Sequence, residues 1–520
     1  MTRIINEGGR DVTRQTIEAV AKLIHDTGVG MDGSADDLKK ATGTVTTSTG
    51  LVAYDLEPEA KNLYPVITPI VNKIPRKLKS VGAGTAANWK EVSAIAGASG
   101  LPAVPWVPEG QRAPRMSLTT ADRSASYKTA GLESDVTFEA ESAAAGFEDE
   151  MAASGVRLLH QTKILEELAC IGGNNSVELG TPTTPTVSAS GSGATLPAAT
   201  YKVGVIALTF EGYQMATVMG GVKRAVTLTG MDAKTYDLNG GSSKASALAT
   251  QAVTLGQTLF MSTPAIRGAV AYAWYVGVSG SEKLEAITTI NSYAISADLA
   301  ATGQAWSAIS DGTTDRSKNT EAFDGILYHV FKSGSLGYYR ALATGTAGTG
   351  TTLTASARGT IAEIDTMLKD RWDNYRLSFE ELYVSSQELT NIYSRCFVNG
   401  SNPLVRFVVD AGNPQQVTFA AGQILGWYVN PYSMNGGQFI PIRLHPNLPA
   451  GTIMGWAQNL PAQYVTANVP QTLEMKCRRE YYQIPWPVVT RARATGVYVE
   501  EVLACYATFS LGVITNIANG

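Results

Sequence analysis

Catalysis needs an acid, a base or a nucleophile held against a partner group, and this chain offers few candidates. Its histidines are His25, His160, His329 and His445, and none stands beside a serine or cysteine motif, so no histidine-centred triad is framed. Cys170, Cys396, Cys477 and Cys505 lie far apart, with no C-x-x-C pair and no histidines at zinc-finger spacing, and read as reduced thiols of a cytosol-made protein. The chain has no H-E-x-x-H, no G-x-x-x-x-G-K-[ST] and no G-x-S-x-G. The glycine-rich piece Gly345 to Gly350 has no lysine and helix after it and reads as a loop. Glu166-Glu167 and Glu500-Glu501 are adjacent in sequence, hence not facing each other on a helix or strand, and are expected to be solvated. No catalytic residue, cofactor or metal ligand is expected.

The charged residues that remain suggest contact between molecules. The run Lys73, Arg76, Lys77, Lys79 lacks the interleaved aromatics of a nucleic-acid groove. A solvated face and DNA contact stay open, but the favoured reading is pairing with carboxylates of a neighbouring subunit. Glu139, Glu141, Glu148, Asp149 and Glu150 are the candidate partners. Arg112, Arg115 and Arg123, and later Arg478, Arg479, Arg491 and Arg493, are similar candidates.

The totals bound what must position these groups. At 520 residues the chain exceeds one hydrophobic core, and two to four domains are expected. Hydrophobic residues make up 44% and charged residues only 17%, with 51 glycines, so much of the surface is neutral or covered. The net charge of -4 argues against affinity built on phosphate neutralisation. No apolar run approaches the roughly 20 residues of a membrane span, and Met1 to Arg10 is polar, so neither secretion by the usual signal nor anchoring is expected.

Along the chain, Val12 to His25 reads as a helix before a Gly/Ser/Thr-rich tether, and 1–79 as an N-terminal helix and extended arm broken by Pro58, Pro65, Pro69 and Pro75. Residues 80–133 read as a long hairpin too poor in apolar residues to bury a core alone. The spacing then predicts one long helix from about Asp135 to Ile171, within a unit spanning 134–175. Phe147, Met151, Leu158, Leu165 and Leu168 form its stripe, and Gly172-Gly173 ends it. Its length would be about 50 Å, and Gly146 and Gly155 sit inside it, either at close packing points or as bending points. Residues 176–320 alternate like an antiparallel sandwich, with Val270, Tyr272, Trp274 and Val276 on one face. A Trp on a middle strand suits an immunoglobulin-like one. In 321–470, Thr360 and Glu363 form a candidate capping box before a helix, and strands then dominate through 471–520.

The order of these parts resembles the major capsid proteins of tailed phages with the Hong Kong 97 fold. Tyr54-Asp55-Leu56, Ala60-Lys61, Tyr64-Pro65, Thr68-Pro69 and Ile74-Pro75 look like that family's N-terminal arm, and 80–133 like its extended loop. The helix ending Ile171-Gly172-Gly173-Asn174 is similar to its spine helix. Phe323-Asp324-Gly325-Ile326 resembles the return into its axial domain, which would fill 321–470. Pro441-Ile442 with Pro446 to Thr452 resembles a late axial segment, and Tyr481 through Ile517 the returning strands of its peripheral domain. The resemblance implies an α+β fold carrying an all-β insertion, and a non-enzymatic subunit that self-assembles as hexamers and pentamers into an icosahedral head around double-stranded DNA. It further implies scaffold, portal and decoration partners, no membrane partner, assembly in the host cytoplasm and a final place in the virion capsid. An encapsulin-like compartment is the alternative shell, and a bacterial surface or adhesion protein the alternative class. The insertion, hanging from the shell on two strands, would clamp neighbours on the outside or touch host surfaces.

Overall fold

The computed structural model describes residues 68–78, 84–97, 106–113, 116–144, 149–310, 314–356, 360–398, 407–409, 417–419, 427–433, 437–461 and 471–518. Helices and mixed sheets alternate in an α+β arrangement. One four-stranded sheet runs in the order Arg76–Leu78, Leu473–Pro485, Ala492–Cys505, Lys128–Thr137, its first pair parallel and the others antiparallel. The arm strand thus borrows backbone partners from the far end of the chain, which satisfies groups it could not satisfy alone.

A helix, Glu150–Gly172, lies across this sheet, with Leu158 and Leu159 packed on Val497 and Tyr481. Asp149 starts it, its carboxylate accepting the Ala152 N–H at 3.1 Å. This corrects the single helix expected from Asp135. Thr129 to Thr137 instead pair with the strand Ala492–Cys505, and a separate short helix, Phe138–Ala144, follows. Cross-strand pairing of the β-branched Val136 and Thr137 overrides the helical periodicity. The 23-residue helix is therefore about 35 Å long. Its buried face runs through Leu158, Leu159, Thr162, Glu166, Glu167 and Cys170, whereas Leu165 of the expected stripe is 47% exposed. Gly146 and Phe147 lie outside the described residues.

The hairpin is present as Ala86–Gly97 against Met116–Ser126, bulged between Val92 and Ala94. Its root is fixed: Ala87 and Trp89 are buried, and the Trp89 indole donates to the Cys505 carbonyl at 2.9 Å. Lys128–Thr137, expected in part within the hairpin, leaves it to join the four-stranded sheet.

The insertion is a sandwich of antiparallel sheets. One is ordered Lys283–Thr288, Ala271–Val278, Ala199–Leu208, Ala249–Val253, the other Ser292–Ile295, Thr258–Ser262, Thr186–Ser190. Tyr201, Val203, Val205, Leu259, Met261, Tyr272 and Trp274 fill the space between them. The opposite face of the first sheet is also covered: Ile206, Ala273 and Tyr275 pack with Trp306 and Ile309. Nor does the insertion hang on two strands. The Tyr328 hydroxyl accepts the Phe210 N–H and donates to the Gly268 carbonyl, both at 3.0 Å. Asn291 and Asn516 bond each other reciprocally at 2.8 and 3.0 Å, and Arg267 donates to the Val330 carbonyl. These buried hydrogen bonds attach the sandwich at points beyond its two chain connections.

A further sheet has six strands, ordered Tyr338–Ala341, Leu511–Thr515, Ile453–Trp456, Glu381–Val384, Gln438–Leu444, Trp427–Asn430. The helix Ala362–Tyr375 packs on it through Ile364, Met367 and Leu368. The expected capping box does not form. Thr360 donates to Asp365 at 2.5 Å, and Glu363, 5% exposed, accepts the Thr354 N–H at 2.9 Å instead.

The helical glycines give opposite expectations. A Cβ at Gly155 would meet only Gln483 Nε2 at 3.9 Å, so the close-packing reading fails there, whereas at Gly172 it would stand 2.2 Å from the Phe210 ring. Gly155→Ala should raise stability by about 1 kcal/mol, read as a higher urea midpoint. Gly172→Ala should lower that midpoint, because Phe210 would have to leave its packed position.

Candidate functional site

The arm is held by three sets of charges, and two come from the acidic pairs expected in solvent. Glu166, Glu167, Glu500 and Glu501 are only 2%, 0%, 6% and 1% exposed. On the helix, Glu166 and Glu167 continue the apolar face of Leu158, Leu159 and Thr162, so they enter the core with it. On the strand, Glu500 and Glu501 point to opposite faces, and both faces are covered.

Glu167 seats the arm's first turn. Its carboxylate accepts the Ile70 N–H at 2.9 Å and the Val71 N–H at 2.8 Å, while Ile70, Val71 and Ile74 bury their side chains around it. His445 Nε2 stands 2.8 Å from the same carboxylate, and His445 Nδ1 accepts the Asn447 N–H at 3.2 Å. With Nδ1 accepting, the ring donates from Nε2, so His445 serves as a hydrogen-bond post.

Glu166 and Glu501 hold Arg76. The guanidinium donates to Glu501 Oε2 at 2.9 Å, to Glu166, and to the Tyr481 hydroxyl at 2.9 Å, with its plane 4.7 Å from the Tyr481 ring centre. Tyr481 in turn donates to Glu166. A fork of donors between two carboxylates fixes direction as well as distance, and it aligns the arm strand with Met475 to Cys477. Glu501 is displaced up to about 8 by burial first and by Glu166 next.

The outer ring is more exposed. Lys73 pairs with Glu381, which also takes Arg443 at 2.7 Å and the Tyr383 hydroxyl at 2.7 Å. Lys77 reaches Glu474 at 3.7 Å. Arg478 and Arg479 share Glu500, Arg491 pairs with Glu139, and Arg493 meets Glu141 at 3.2 Å.

Within the chain, Lys73 takes Glu381, Arg76 takes Glu166 and Glu501, and Lys77 takes Glu474, because the arm lies back on the C-terminal strands. Glu139 and Glu141 are likewise met by arginines of the same chain. Arg112 is exposed beyond the hairpin strands, and Arg115 and Glu148 lie outside the described residues. Sequence reading missed Glu166, Glu167, Glu501, Tyr481 and His445. The usable signal was the placement of Glu166 one turn after Thr162, on a face otherwise apolar.

The site's chemistry is that of a clasp. Burial pushes the Cys170 thiol up and Cys477 up to about 12, which withdraws both from thiolate chemistry. Among the described residues no group of His, Cys, Asp and Glu is placed to hold a metal ion, and no helix is long and apolar enough to cross a membrane.

Known proteins give a distant comparison. No family model matches the chain, and no curated protein does. Among solved structures, the capsid of Myoviridae phage XM1 is 8% identical with a TM-score of 0.38, over 94% of this chain and 100% of that one. The cyanophage Pam1 capsid is 11% identical, TM-score 0.38, over 92% and 100%. The SrpI encapsulin of Synechococcus elongatus PCC 7942 is 8% identical, TM-score 0.38, over 90% and 93%. The chain is similar to shell proteins. What it does must be argued from its own geometry.

Removing the clasp should free the arm. Glu167→Ala leaves two buried N–H groups and an imidazole donor unpaired, a loss on the order of 3 kcal/mol. Brief protease treatment should then cut between Thr68 and Leu78 at least tenfold faster than in the parent chain, while Glu474→Ala, at the exposed Lys77 pair, should leave that rate within about twofold.

Proposed function

We propose that the chain is a major capsid protein, a structural subunit that self-assembles into an icosahedral head enclosing double-stranded DNA. The observation that carries this reading is the hairpin. Its paired strands, Ala86–Gly97 and Met116–Ser126, span about 40 Å. Beyond them Trp106 is 82% exposed, and every described residue from Trp106 to Ala113 is exposed. A two-stranded ribbon is marginal in water by itself, and an exposed tryptophan at its far end calls for a surface to cover it. Identical neighbours in a closed lattice provide one for every copy.

Other features agree. The basic residues of the arm and the C-terminal strands are occupied by carboxylates, and the net charge is -4, which suits a container that must not grip its nucleic acid. The histidine nearest the arm is engaged with Glu167, and the buried thiols are inert, which suits a subunit without turnover. We propose hexamers and pentamers as capsomers, scaffold, portal and decoration proteins as partners, and assembly in the host cytoplasm. In the same reading the insertion is an immunoglobulin-like domain on the outer surface that clamps neighbours, and its rigid attachment through Tyr328 and Asn291 supports load transfer into the shell.

Negative-stain microscopy and sedimentation of purified protein test the proposal. Closed shells should form, and shells isolated from infected cells should protect DNA from nuclease. A chain whose residues 91–121 are replaced by a short Gly/Ser turn, leaving the buried root at Ala87 and Trp89, should keep its helices and sheets by circular dichroism yet sediment as small species. A parent chain that stays monomeric at micromolar concentration would overturn the reading; closed shells that protect protein cargo but no DNA would favour an encapsulin-like compartment.

A further inference from the structure

Around Arg76 two buried carboxylates share one guanidinium, and one carboxylate oxygen is left without a donor. Arg76 lies between Glu166 and Glu501, whose side chains are each 1% exposed. Glu501 Oε2 takes the Arg76 hydrogen bond, but Glu501 Oε1 is buried without a hydrogen-bond partner. The groups around Glu501 come from four elements. The arm supplies Arg76, the long helix supplies Lys163, Glu166, Glu167 and Cys170, and the strand Leu473–Pro485 supplies Cys477, Glu480 and Tyr481. The strand Lys128–Thr137 supplies Lys128, opposite Glu501 in register, but its ammonium donates to the Thr320 carbonyl; Lys163 is held below its ordinary value by burial, and Arg76 is the cation that bonds Glu501. Two ionised carboxylates beside one buried guanidinium leave a charge that the core cannot solvate. A proton on Glu501 removes that charge and gives Oε1 a donor to aim at Glu166.

We propose that Glu501 holds one bound proton, aimed at Glu166, while the arm strand is seated, and that loss of this proton to water unseats it, so the cluster is a proton-gated latch on residues 76–78. The step breaks one O–H bond and forms another on water. It is a property of the folded chain and stands independently of what the chain assembles into. The sign follows from linkage. Seated, Glu501 keeps its proton up to about 8; with the arm lifted and water admitted, it returns toward its ordinary 4.5. Below both values pH has no effect. Between them the lifted state releases the proton first, so lifting becomes about tenfold easier per pH unit, and above them the slope vanishes.

Cys477 reports this directly, being 0% exposed and 3.6 Å from Arg76 Nη1, so a thiol reagent reaches it after the arm lifts. In full-length protein carrying Cys396→Ser, labelling of Cys477 by an aromatic disulfide is followed by peptide mass spectrometry from pH 5 to 8. Thiolate formation alone gives about one decade of rate per pH unit. The latch adds a second, so the expected slope is close to two in the parent and close to one in Glu501→Gln. Hydrogen exchange of the amides at 70–78 should show the same doubling. A slope of one in the parent overturns the proposal by itself, as does a slope of two that survives Glu501→Gln. Should that variant fail to fold, Glu166→Gln must show the single slope in its place.

Discussion

Two adjacent carboxylates leaving water together is the constraint on which the arrangement turns. Glu166 and Glu167 sit on the buried face of the long helix, and each would be costly there without partners. The arm supplies them: two backbone N–H groups for Glu167 and a guanidinium for Glu166. The dependence runs in both directions. Without the helix carboxylates the arm has little reason to lie along the strand Leu473–Pro485; without the arm, Tyr481 and His445 alone are left to answer two buried carboxylates. That mutual need explains how a segment studded with proline, and unable to make a regular helix, still has a defined place.

The charges of the arm, the short helix and the returning strands find carboxylate or basic partners within the chain. Large apolar side chains among the described residues stay uncovered: Trp106 beyond the hairpin strands, Trp427 on the edge strand of the six-stranded sheet, Phe439 on the strand beside it, and Val488 and Val489 in the turn after Trp486. Contacts made by such residues gain from area rather than from ion pairing, and they weaken little with salt.

Much of this was legible in the residues. The hairpin strands, the Gly172-Gly173 helix end, the alternating strands of the insertion and the order of the late strands all follow from local periodicity and turn chemistry. The errors share a cause, which is a partner that local periodicity does not name, whether it lies a few residues away or hundreds. Asp135 to Thr137 scan as helix until the strand Ala492–Cys505 claims them. Thr360 and Glu363 scan as a capping box until Asp365 and Thr354 take their side chains. Glu166-Glu167 scan as solvated until Arg76 and His445 arrive from elsewhere in the chain. A buried polar group is decided by its partner, and that partner is not a neighbour in sequence.

The parallel pairing of the arm also has a consequence for timing. Arg76 and Cys477 are 401 residues apart, so the strand that receives the arm is made long after the arm itself. At about 5 to 20 residues per second on the ribosome, that interval is roughly 20 to 80 seconds. During it the arm and Glu166 lack Tyr481, Glu501 and the strand that they meet in the folded chain. The arm therefore cannot be seated before the strand Leu473–Pro485 is made, and a chain cut short of that strand lacks the surface on which the arm must lie.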